Sequence, residues 1–382
     1  MTTLLIMTGG GGESEVEKMV SLCREAITLD TVEKALQIES IERIIVSTSS
    51  SALARALEGQ GVEIELDSPG EPFHFGRRLV ELIHKYRAEK IFYMGGGSGA
   101  LLSAEQIARI AETIRQAEEL LITNNFYSTD FVAWTPAQAI ISVPPPATDN
   151  TLGWLLGEDV GLKNLSPPRS AATLLDVDTP IDLMVLKHHP DLGPHTRSYL
   201  EGLNLDASHI EAALKIFTDR EAEVLIAGRV GASTWAYLEV ETACHVRIFS
   251  EERGMRADGR LGQGKVRSLL GFYLDRVGLE RFFSTLAELG DAIFLDSRVL
   301  FAHRKLWPKA SDRFYSDLRQ PEKISDHFVR RFTASALEAP VPVILGGHSL
   351  VSGGLYALVE AAWARGQSLP RHVAPAPWDW DS

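Results

Sequence analysis

The sequence is poor in cysteine and contains no long hydrophobic run. Its two cysteines, Cys23 and Cys244, lie far apart and offer neither metal-ligand spacing nor a disulfide framework, as expected in a reducing compartment. The N-terminus has an apolar run of only about five residues and no basic leader, too short for a signal peptide or a spanning helix. We therefore expect a cytoplasmic protein without a membrane partner.

Basic residues are also scarce relative to acidic ones. Lys and Arg number 38 against 51 Asp and Glu, which gives a formal net charge of -13 at pH 7. Binding to a nucleic-acid backbone draws most of its affinity from clustered basic side chains. The charge therefore argues against a nucleic-acid partner, and any nucleotide that binds should be a small molecule.

Through residues 1–145, short apolar runs rich in Ile, Val and Leu alternate with longer amphipathic stretches. This alternation is typical of βα units around a mainly parallel sheet. It predicts strands at 3–7, 42–48, 62–66, 90–95, 119–123 and 139–143. It predicts helices at 14–36, 50–59, 75–88 and 103–117, the last of them capped by Ser103.

The alternation resumes after a segment rich in His, Pro and Gly at residues 187–195. Strands are predicted there at 222–228, 245–250, 291–302 and 341–346, and helices at 232–242, within 264–289 and at 352–365. A chain of 382 residues exceeds what one hydrophobic core usually serves. We therefore expect an α/β domain at residues 1–187, followed by a second α/β domain at residues 196–370.

Two glycine-rich turns each follow a predicted strand and precede a predicted helix. The first is Thr8-Gly9-Gly10-Gly11-Gly12, and the second is Gly95-Gly96-Gly97-Ser98-Gly99. Turns of this kind let backbone N–H groups approach a phosphate at a helix N-terminus. Glycine also serves any tight turn, so the pattern alone leaves a purely structural role open.

A third motif, Asp176-Val177-Asp178-Thr179-Pro180-Ile181-Asp182-Leu183, follows these turns in a fixed order. With them, the sequence resembles the nucleotidyltransferases of cofactor biosynthesis, namely the molybdenum-cofactor guanylyltransferase, phospholactate guanylyltransferase and methylerythritol cytidylyltransferase families. The resemblance covers about residues 1–185. It implies the nucleotide-diphospho-sugar transferase type of fold, with a three-layer, mainly parallel sheet.

The resemblance also implies a reaction, in which a nucleoside monophosphate passes from a nucleoside triphosphate to a small phosphorylated acceptor. The nucleotide would lie against the residues Thr8, Gly9, Gly10, Gly11, Gly12, Gly96, Gly97 and Ser98. Mg²⁺ would be held by Asp176 and Asp178, and catalytic roles fall on Asp178 and on Lys18, which matches the loop lysine of these families. A helix N-cap network around Thr179 is the structural alternative for the two aspartates.

The sequence departs from the families at two places. Ser98 stands where they have a second metal-binding Asp, and a hydroxyl is a poor substitute for a carboxylate at a hard dication. The first glycine turn is followed by Glu13, Glu15 and Glu17, where the families have an Arg. The alternative function is therefore a non-catalytic nucleotide-binding or sugar-nucleotide-binding protein on the same fold.

A polar cluster after the predicted strand 119–123 offers replacements. Asp130 is a candidate metal ligand that would supply the missing carboxylate, and Asn124, Asn125 and Ser128 are candidate substrate-binding residues. The carboxyl ends of parallel strands form the binding edge of such sheets. Asn-rich turns are also ordinary loops, so a structural role stays open here too.

The second half of the chain resembles no family. Arg229, after the predicted strand 222–228, and Arg253, after 245–250, would face an anionic substrate or lie solvated. The segment from Gly347 to Gly354 partly resembles the nucleophile turn of serine hydrolases, with Ser349 as nucleophile, His372 as base and Glu360 as acid. Serine hydrolysis is therefore kept as a further alternative, beside a plain strand-to-helix turn.

Overall fold

The computed structural model describes residues 1–9, 11–67 and 72–365, and the chain folds into two compact units. The first unit comprises the described residues of Met1–Glu13, Ser21–Asp176 and Leu192–Leu200. The second comprises Ser14–Val20, Val177–Asp191 and the described residues from Glu201 onwards. Each unit has its own sheet.

The first unit contains a seven-stranded sheet in the described residues, with the order β3-β2-β1-β4-β6-β5-β7. Strand β1 is parallel to β2 and β4, β2 is parallel to β3, and β5 is parallel to β7. Strand β6 runs antiparallel to both of its neighbours, β4 and β5. The strands are β1 (Thr2–Thr8), β2 (Arg43–Thr48), β3 (Glu63–Leu66), β4 (Lys90–Gly95), β5 (Leu120–Thr123), β6 (Phe131–Thr135) and β7 (Asn164–Leu165).

The central strand β1 shows why this sheet is covered on both faces. All seven of its residues are buried, and their side chains alternate between the faces. Leu4 and Ile6 join one hydrophobic cluster, and Leu5 and Met7 join another on the opposite face. A continuous apolar run is the pattern expected of a parallel strand with helices on both sides.

Helices connect these strands and those of the second unit. Along the chain they are α1 (Glu15–Ala35), α2 (Ser51–Leu57), α3 (Phe75–Lys85), α4 (Ala104–Gln116), α5 (Leu152–Trp154), α6 (Ala171–Leu174), α7 (Pro180–Leu186), α8 (Pro194–Glu201), α9 (Ser208–Ile216), α10 (Ala232–Glu241), α11 (Leu269–Val277), α12 (Leu279–Ala287), α13 (Ser297–His303), α14 (Ala310–Asp317), α15 (His327–Leu337) and α16 (Leu355–Ala364). The predicted cap of α4 is confirmed, because Ser103 and Gln106 form a reciprocal capping box.

The second unit contains a four-stranded sheet whose paired strands are all parallel, in the order β11-β10-β8-β9. Its strands are β8 (Glu223–Gly228), β9 (His245–Ser250), β10 (Ala292–Asp296) and β11 (Val343–Gly346). The three strands β8, β10 and β11 are almost wholly buried, and residues such as Ile293 and Leu345 pack against Phe282, Phe301 and Phe332.

The prediction of an α/β fold with a mainly parallel sheet is confirmed. Two predicted strands are wrong in part or entirely. Residues 139–143 form no strand, because the 3₁₀ helix Ala137–Ser142 begins directly after Pro136, and the strand in this region is β6 instead. The strand predicted at 291–302 ends at Asp296, whose side chain accepts a hydrogen bond from the N–H of Arg298 and so starts α13.

No helix among the described residues is long and apolar enough to cross a membrane. The predicted second domain extends to residue 370, and its last residues 366–370 lie outside the described part of the chain, as do Gly10 and His372.

Candidate functional site

A cavity of about 190 Å³ lies at the carboxyl ends of β1 and β2 in the first unit. It is lined by Thr8, Gly9, Gly11, Ser21, Glu25, Thr48, Ser49 and Ser50. The first glycine turn therefore borders this cavity through Thr8, Gly9 and Gly11, three of the residues predicted to bind the nucleotide. Gly12 follows in the same loop, before α1 begins at Glu15.

Five polar residues that line this cavity were missed by the sequence reasoning, namely Ser21, Glu25, Thr48, Ser49 and Ser50. Thr48 ends β2, and Ser50 caps α2 by accepting a hydrogen bond from the N–H of Leu53. The Thr48 hydroxyl also accepts a hydrogen bond from the N–H of Ser50, at 3.0 Å. The signal was present in the sequence, since a run of Ser and Thr directly follows a predicted buried strand at the binding edge of the sheet.

The second glycine turn is packed against the first. The N–H of Gly96 donates a hydrogen bond to the carbonyl of Met7 at 3.1 Å. A Cβ on Gly96 would lie 2.2 Å from Oγ1 of Thr8, so no larger residue fits at this position without a shift. Gly96 is therefore needed for the close approach of the two turns.

Ser98 does not expose its hydroxyl as a ligand. The residue is 3% exposed, and its Oγ donates a hydrogen bond to the carbonyl of Gly95 at 2.8 Å. Ser98 also forms an antiparallel backbone bridge with Asp176. The structure thus brings the turn after β4 next to Asp176, the first aspartate of the third motif.

Three carboxylates lie near the buried hydroxyl of Tyr93, in the middle of β4. The hydroxyl donates a hydrogen bond to Oδ2 of Asp149 at 2.8 Å. Burial raises the pKa of Tyr93 well above its usual value, and the charges of Asp149, Asp176 and Asp130 raise this pKa further. Two predicted metal ligands, Asp130 and Asp176, therefore share one region of the first unit with Asp149.

Asn124 holds Asp130 in position rather than facing a ligand. Its amide nitrogen donates to Oδ2 of Asp130 at 2.9 Å and to the carbonyl of Thr173 at 3.0 Å. Its amide oxygen accepts hydrogen bonds from the N–H groups of Asp130 and Phe131. With both ends of this buried amide engaged, Asn124 acts on a ligand only through Asp130.

Phe126 and Tyr127, in the loop between β5 and β6, form an aromatic cluster with Trp154 of α5. The rings of Phe126, Tyr127 and Trp154 lie 5.2 to 5.9 Å apart, and Tyr127 is 70% exposed. The predicted substrate residue Ser128 donates to the side chain of Asn150, and Asn125 accepts from the N–H of Tyr127. Exposed rings thus stand beside the polar residues that the sequence singled out.

Lys18 and Asp178, the two predicted catalytic residues, belong to the second unit. Both side chains are exposed. Lys18 lies in the second turn of α1, whose start is stabilised by reciprocal hydrogen bonds between Ser14 and Glu17. Glu17 therefore has a capping role, which accounts for an acidic residue in this position.

The third motif forms the N-cap network that was the structural alternative for its aspartates. Thr179 caps α7, Pro180 occupies the first helical position, and Asp182 completes the capping box. Oδ2 of Asp182 accepts hydrogen bonds from the N–H groups of Asp178 and Thr179 at 3.0 and 2.7 Å. The backbone of Asp178 is thereby fixed.

Asp30, Glu33 and His195 of the first unit have ligand atoms within 4.8 Å of one another, in the described part of the chain. Their arrangement has a structural explanation. Asp30 is buried and accepts hydrogen bonds from the N–H groups of His195 and Thr196 and from the Thr196 hydroxyl, so it caps α8. Both carboxylate oxygens of Asp30 already accept hydrogen bonds, so we do not assign these three residues as a metal site.

In the second unit, the predicted substrate residue Arg229 is fixed by a buried carboxylate. Its Nε and Nη2 donate to the two oxygens of Asp296 at 2.5 and 3.1 Å. Burial by itself raises the pKa of Asp296, but Arg229 outweighs it and holds the pKa below its usual value. Arg253 is exposed, and its guanidinium lies near Gly231.

The structure gives the serine hydrolase alternative no support. Oγ of Ser349 is buried and has no partner of hydrogen-bond geometry among the described residues, and the side chain beside it is the carboxyl of Asp182 rather than a histidine. Glu360, the proposed acid, lies 3.3 Å from His189. The proposed base His372 lies outside the described residues.

No family model matches the chain, and no curated protein matches it. Among solved structures, it is similar to a CMP:2-keto-3-deoxy-manno-octonic acid synthetase complexed with CTP, with 14% identity over 49% of this chain and 96% of that chain and a TM-score of 0.36. It is also similar to a cytidylyltransferase from Leptospira borgpetersenii serovar Hardjo-bovis, with 13% identity over 52% of this chain and 92% of that chain and a TM-score of 0.39.

A third similar structure is a complex with manganese of a protein from Mycobacterium tuberculosis H37Rv, with 18% identity over 53% of this chain and 99% of that chain and a TM-score of 0.34. At these identities and TM-scores the likeness carries no information on activity.

Proposed function

We propose that the first unit binds a nucleoside triphosphate with a divalent metal and transfers its nucleoside monophosphate to a small phosphorylated acceptor. One observation carries this proposal. The carboxylates of Asp130, Asp149 and Asp176 lie near one buried hydroxyl, in the same unit as two packed glycine turns. Nucleotidyl transfer needs these two features, a cradle for phosphates and acidic ligands for the metal that neutralises them.

The cavity beside the first glycine turn suits one part of the nucleotide. At about 190 Å³ it is smaller than the roughly 300–1,000 Å³ of typical ligand pockets, so it would enclose a base or ribose and leave the phosphates outside. Glu25 lines it, and a carboxylate repels polyphosphate but accepts hydrogen bonds from an amino or hydroxyl group. We therefore place the base or ribose there.

The residues near Tyr93 fit a magnesium ion in their chemistry. Hard dications prefer carboxylate oxygens, and Mg²⁺ usually takes one or two of them, completing its shell with water and substrate phosphates. The carboxylate oxygens of Asp130, Asp149 and Asp176 lie farther from one another than the ligand atoms of Asp30, Glu33 and His195 do. Phosphate oxygens of the nucleotide would therefore complete the shell. The bound metal would neutralise charge on the phosphates.

This chain's own residues supply the rest of the site. Asn124 holds the Asp130 carboxylate, and Tyr93 holds that of Asp149. The catalytic roles that the family resemblance implies for Lys18 and Asp178 stay predictions, since both residues belong to the second unit. The backbone N–H groups of Gly9, Gly11 and Gly12 in the first glycine turn would donate to the phosphates. In the second turn the N–H groups of Gly95, Gly96 and Ser98 already donate to backbone carbonyls.

The test is a set of single substitutions, Asp130→Asn, Asp149→Asn and Asp176→Asn, in the full chain. We expect the protein to release pyrophosphate from a nucleoside triphosphate with Mg²⁺ and a phosphorylated acceptor, and each substitution to lower turnover by on the order of 100-fold. Raised thermal stability with Mg²⁺ and nucleotide should be lost as well. Asp159→Asn, at an exposed carboxylate of the same unit, is the matched control.

Unchanged turnover in all three variants would contradict the proposed metal site. The non-catalytic alternative has one observation in its favour, since the hydroxyl of Ser98 is bonded to a backbone carbonyl and cannot replace a carboxylate. Tight nucleotide binding by the unaltered protein, without pyrophosphate release over a panel of bases and acceptors, would establish that alternative.

We propose further that the acceptor lies against the loop between β5 and β6, beside Asn125, Ser128 and the exposed ring of Tyr127. Aromatic faces pack well on apolar or sugar-like surfaces of small molecules. Tyr127→Ala should raise the KM for the acceptor several-fold and leave nucleotide binding unchanged. Phe73→Ala, which removes another exposed ring of the first unit, is the control. An unchanged acceptor KM would place the acceptor elsewhere.

A further inference from the structure

Strand β9 lies at an edge of the second unit's sheet. Among the described residues it pairs only with β8, along all six of its residues. The N–H of His245 donates to the carbonyl of Ala222, on the side of β8. Backbone groups of successive strand residues point to alternate sides, so those of Val246, Ile248 and Ser250 face away from β8. An unpaired edge of this length is a template for another strand.

Helix α10, which joins β8 to β9 and packs against β9, is apolar on two opposite sides. Thr234 and Leu238 are buried on one side, where Tyr237 stacks on Tyr356 of α16. The other side exposes five residues at the spacing of one helix face, namely Ala232, Trp235, Ala236, Glu239 and Val240. Trp235 is 56% exposed and Val240 is 47% exposed. A helix that is apolar all round is normally buried, so a cover for this second side is expected.

Helix α11 adds exposed apolar side chains beside the same strand. Phe249 of β9 packs in one cluster with Leu270 and Leu274 of α11, whose residues Leu269 and Phe272 are 66% and 57% exposed. The connection from β9 to β10 runs back across the sheet, opposite in direction to that from β8 to β9. Right-handed crossovers therefore place α10 and α11 on opposite faces. We call the open side of β9, the exposed side of α10 and these two exposed residues of α11 the β9 surface.

We propose that a second copy of this chain covers the β9 surface, with the two β9 strands paired antiparallel about a two-fold axis. An axis perpendicular to the sheet also brings the two α10 helices side by side, antiparallel and on the same face. Paired strands lie about 4.8 Å apart, so a helix above the gap between β8 and β9 lies about 10 Å from its copy. This is close to the ordinary distance between packed helices, about 8–10 Å. One axis therefore satisfies the strands and the helices together.

The strand is complementary to itself in one register. With Ile248 on the axis, the open N–H and carbonyl groups of Ile248 bond to those of the second Ile248, and Val246 bonds to Ser250 of the second copy. The alternative register sets Arg247 directly opposite Arg247, and like charges in that position destabilise a sheet. The charge of Arg247 therefore selects the register with Ile248 at the centre.

The exposed side of α10 is complementary to itself as well. With Ala236 on the axis, the two Ala236 residues meet, and their small side chains let the helices approach closely. Val240 then lies against Ala232 of the second copy, a large residue against a small one. Glu239 reaches the first turn of the second α10, where the positive end of the helix stabilises a carboxylate. A two-fold partner thus satisfies both elements with residues that the chain already has.

The contact is large enough for a stable dimer. A six-residue strand spans about 20 Å, and a sheet with one helix layer on each face is about 30 Å thick. Each copy would then bury roughly 600 Å² and the dimer roughly 1,200 Å² in total, at the lower end of specific, stable interfaces. Every residue of the β9 surface belongs to the second unit, so the dimer does not depend on the proposed nucleotidyl transfer.

The test is the mass of the full-length protein in solution, followed over a range of concentrations by analytical ultracentrifugation. We expect a dimer of twice the chain mass of 42.0 kDa. Ala236→Glu places two carboxylates together on the axis and should raise the dimer Kd on the order of hundredfold. Ala212→Glu, the same change at an exposed alanine of α9, should leave the Kd unchanged.

A mixed sample separates a lost contact from a misfolded variant. Ala236→Glu and Ala236→Lys should each be largely monomeric, and a mixture of the two should dimerise again because opposite charges then meet on the axis. A mixture that stays monomeric would overturn the pairing about Ala236. A monomeric full-length protein, or a dimer that Ala236→Glu leaves unchanged, would overturn the proposal as a whole. Dimers formed only after removal of residues 366–382 would assign the β9 surface to that segment instead.

Discussion

At the scale of single residues, Asp182 combines complete burial with incomplete hydrogen bonding. Its Oδ2 accepts hydrogen bonds from the start of α7, whereas neither its Oδ1 nor Oγ of Ser349 has a partner of hydrogen-bond geometry among the described residues. Burial raises the pKa of Asp182 to about 7, with the nearby Ser349 hydroxyl opposing the shift and Asp178 adding to it. The carboxyl therefore carries a proton under mildly acidic conditions.

This pKa predicts a loss of stability as the pH rises. Between pH 4 and pH 7 the folded protein keeps a proton that the unfolded chain has released, so the free energy of unfolding falls across that range. The contribution of Asp182 is up to about 4 kcal/mol. Asp182→Asn should remove this pH-dependent contribution. The free energy of unfolding of the variant, measured with urea, should therefore rise relative to that of the unaltered protein between pH 5 and pH 8.

Asp191→Asn, at an exposed carboxylate of the same unit, is the control for this measurement. His348 titrates in the opposite sense, since burial and then Arg229 lower its pKa to about 4 and stability is lost as the pH falls from 6.5 towards that value. Both proteins contain His348, so its effect largely cancels in the difference. A difference independent of pH would show that Asp182 is ionised in the folded state.

At the scale of secondary-structure elements, the approach of β1 and β4 depends on Gly96. The two strands are paired in parallel up to Met7 and Gly95, and the following residues Thr8 and Gly96 are in contact. Gly96→Ala should destabilise the protein by about 1–3 kcal/mol, the usual cost of overpacking. Urea unfolding would measure this loss.

The reason for that loss can be tested with a double mutant. A Cβ on Gly96 would lie 2.5 Å from Cβ of Thr8, so only a residue without a Cβ at position 8 relieves the clash. In Thr8→Gly/Gly96→Ala the combined loss should be at least about 1 kcal/mol less than the sum of the single losses. Gly11→Ala, which meets open space, is the control. Strict additivity would rule out the clash as the cause.

Most elements could be predicted from the sequence because their apolar patterns are strong. Strand β1 is a continuous buried run, and the predicted bounds of β4 and β9 match the structure. Strand β6 was missed because the predicted alternation of strand and helix leaves no place for an antiparallel strand that directly follows β5. The run Ala139–Val143 has strong β-formers, but the chain has already left the sheet at Pro136.

Residues of the candidate site could be predicted where they lie in a sequence motif. They could not be predicted where only the folded chain brings them together. The glycine turns and Asp176 stand out in the sequence, and Asp130 follows from its place near a strand end. Asp149 lies beyond three prolines in the sequence, and only the folded chain brings its carboxylate to Tyr93. Periodicity gives no information on such distant contacts.

At the scale of the whole molecule, the chain passes between its two units more than once. Residues Ser14–Val20 and Val177–Asp191 belong to the second unit, although the first unit continues after each of them. The family resemblance ends near residue 185 and so omits Leu192–Leu200, which return to the first unit. Similarity in sequence therefore follows the motifs and does not mark every segment that completes a folded unit.

The cap of α8 has a practical consequence for dividing this protein into fragments. Asp30 lies in the interior of the first unit, and the amide groups of His195 and Thr196 bind its carboxylate. An expressed fragment that stopped before Pro194 would lack the donors of that carboxylate, and each lost hydrogen bond to a charged group costs about 1.5–3 kcal/mol. The first unit is therefore best isolated with residues 192–200 attached or supplied as a peptide.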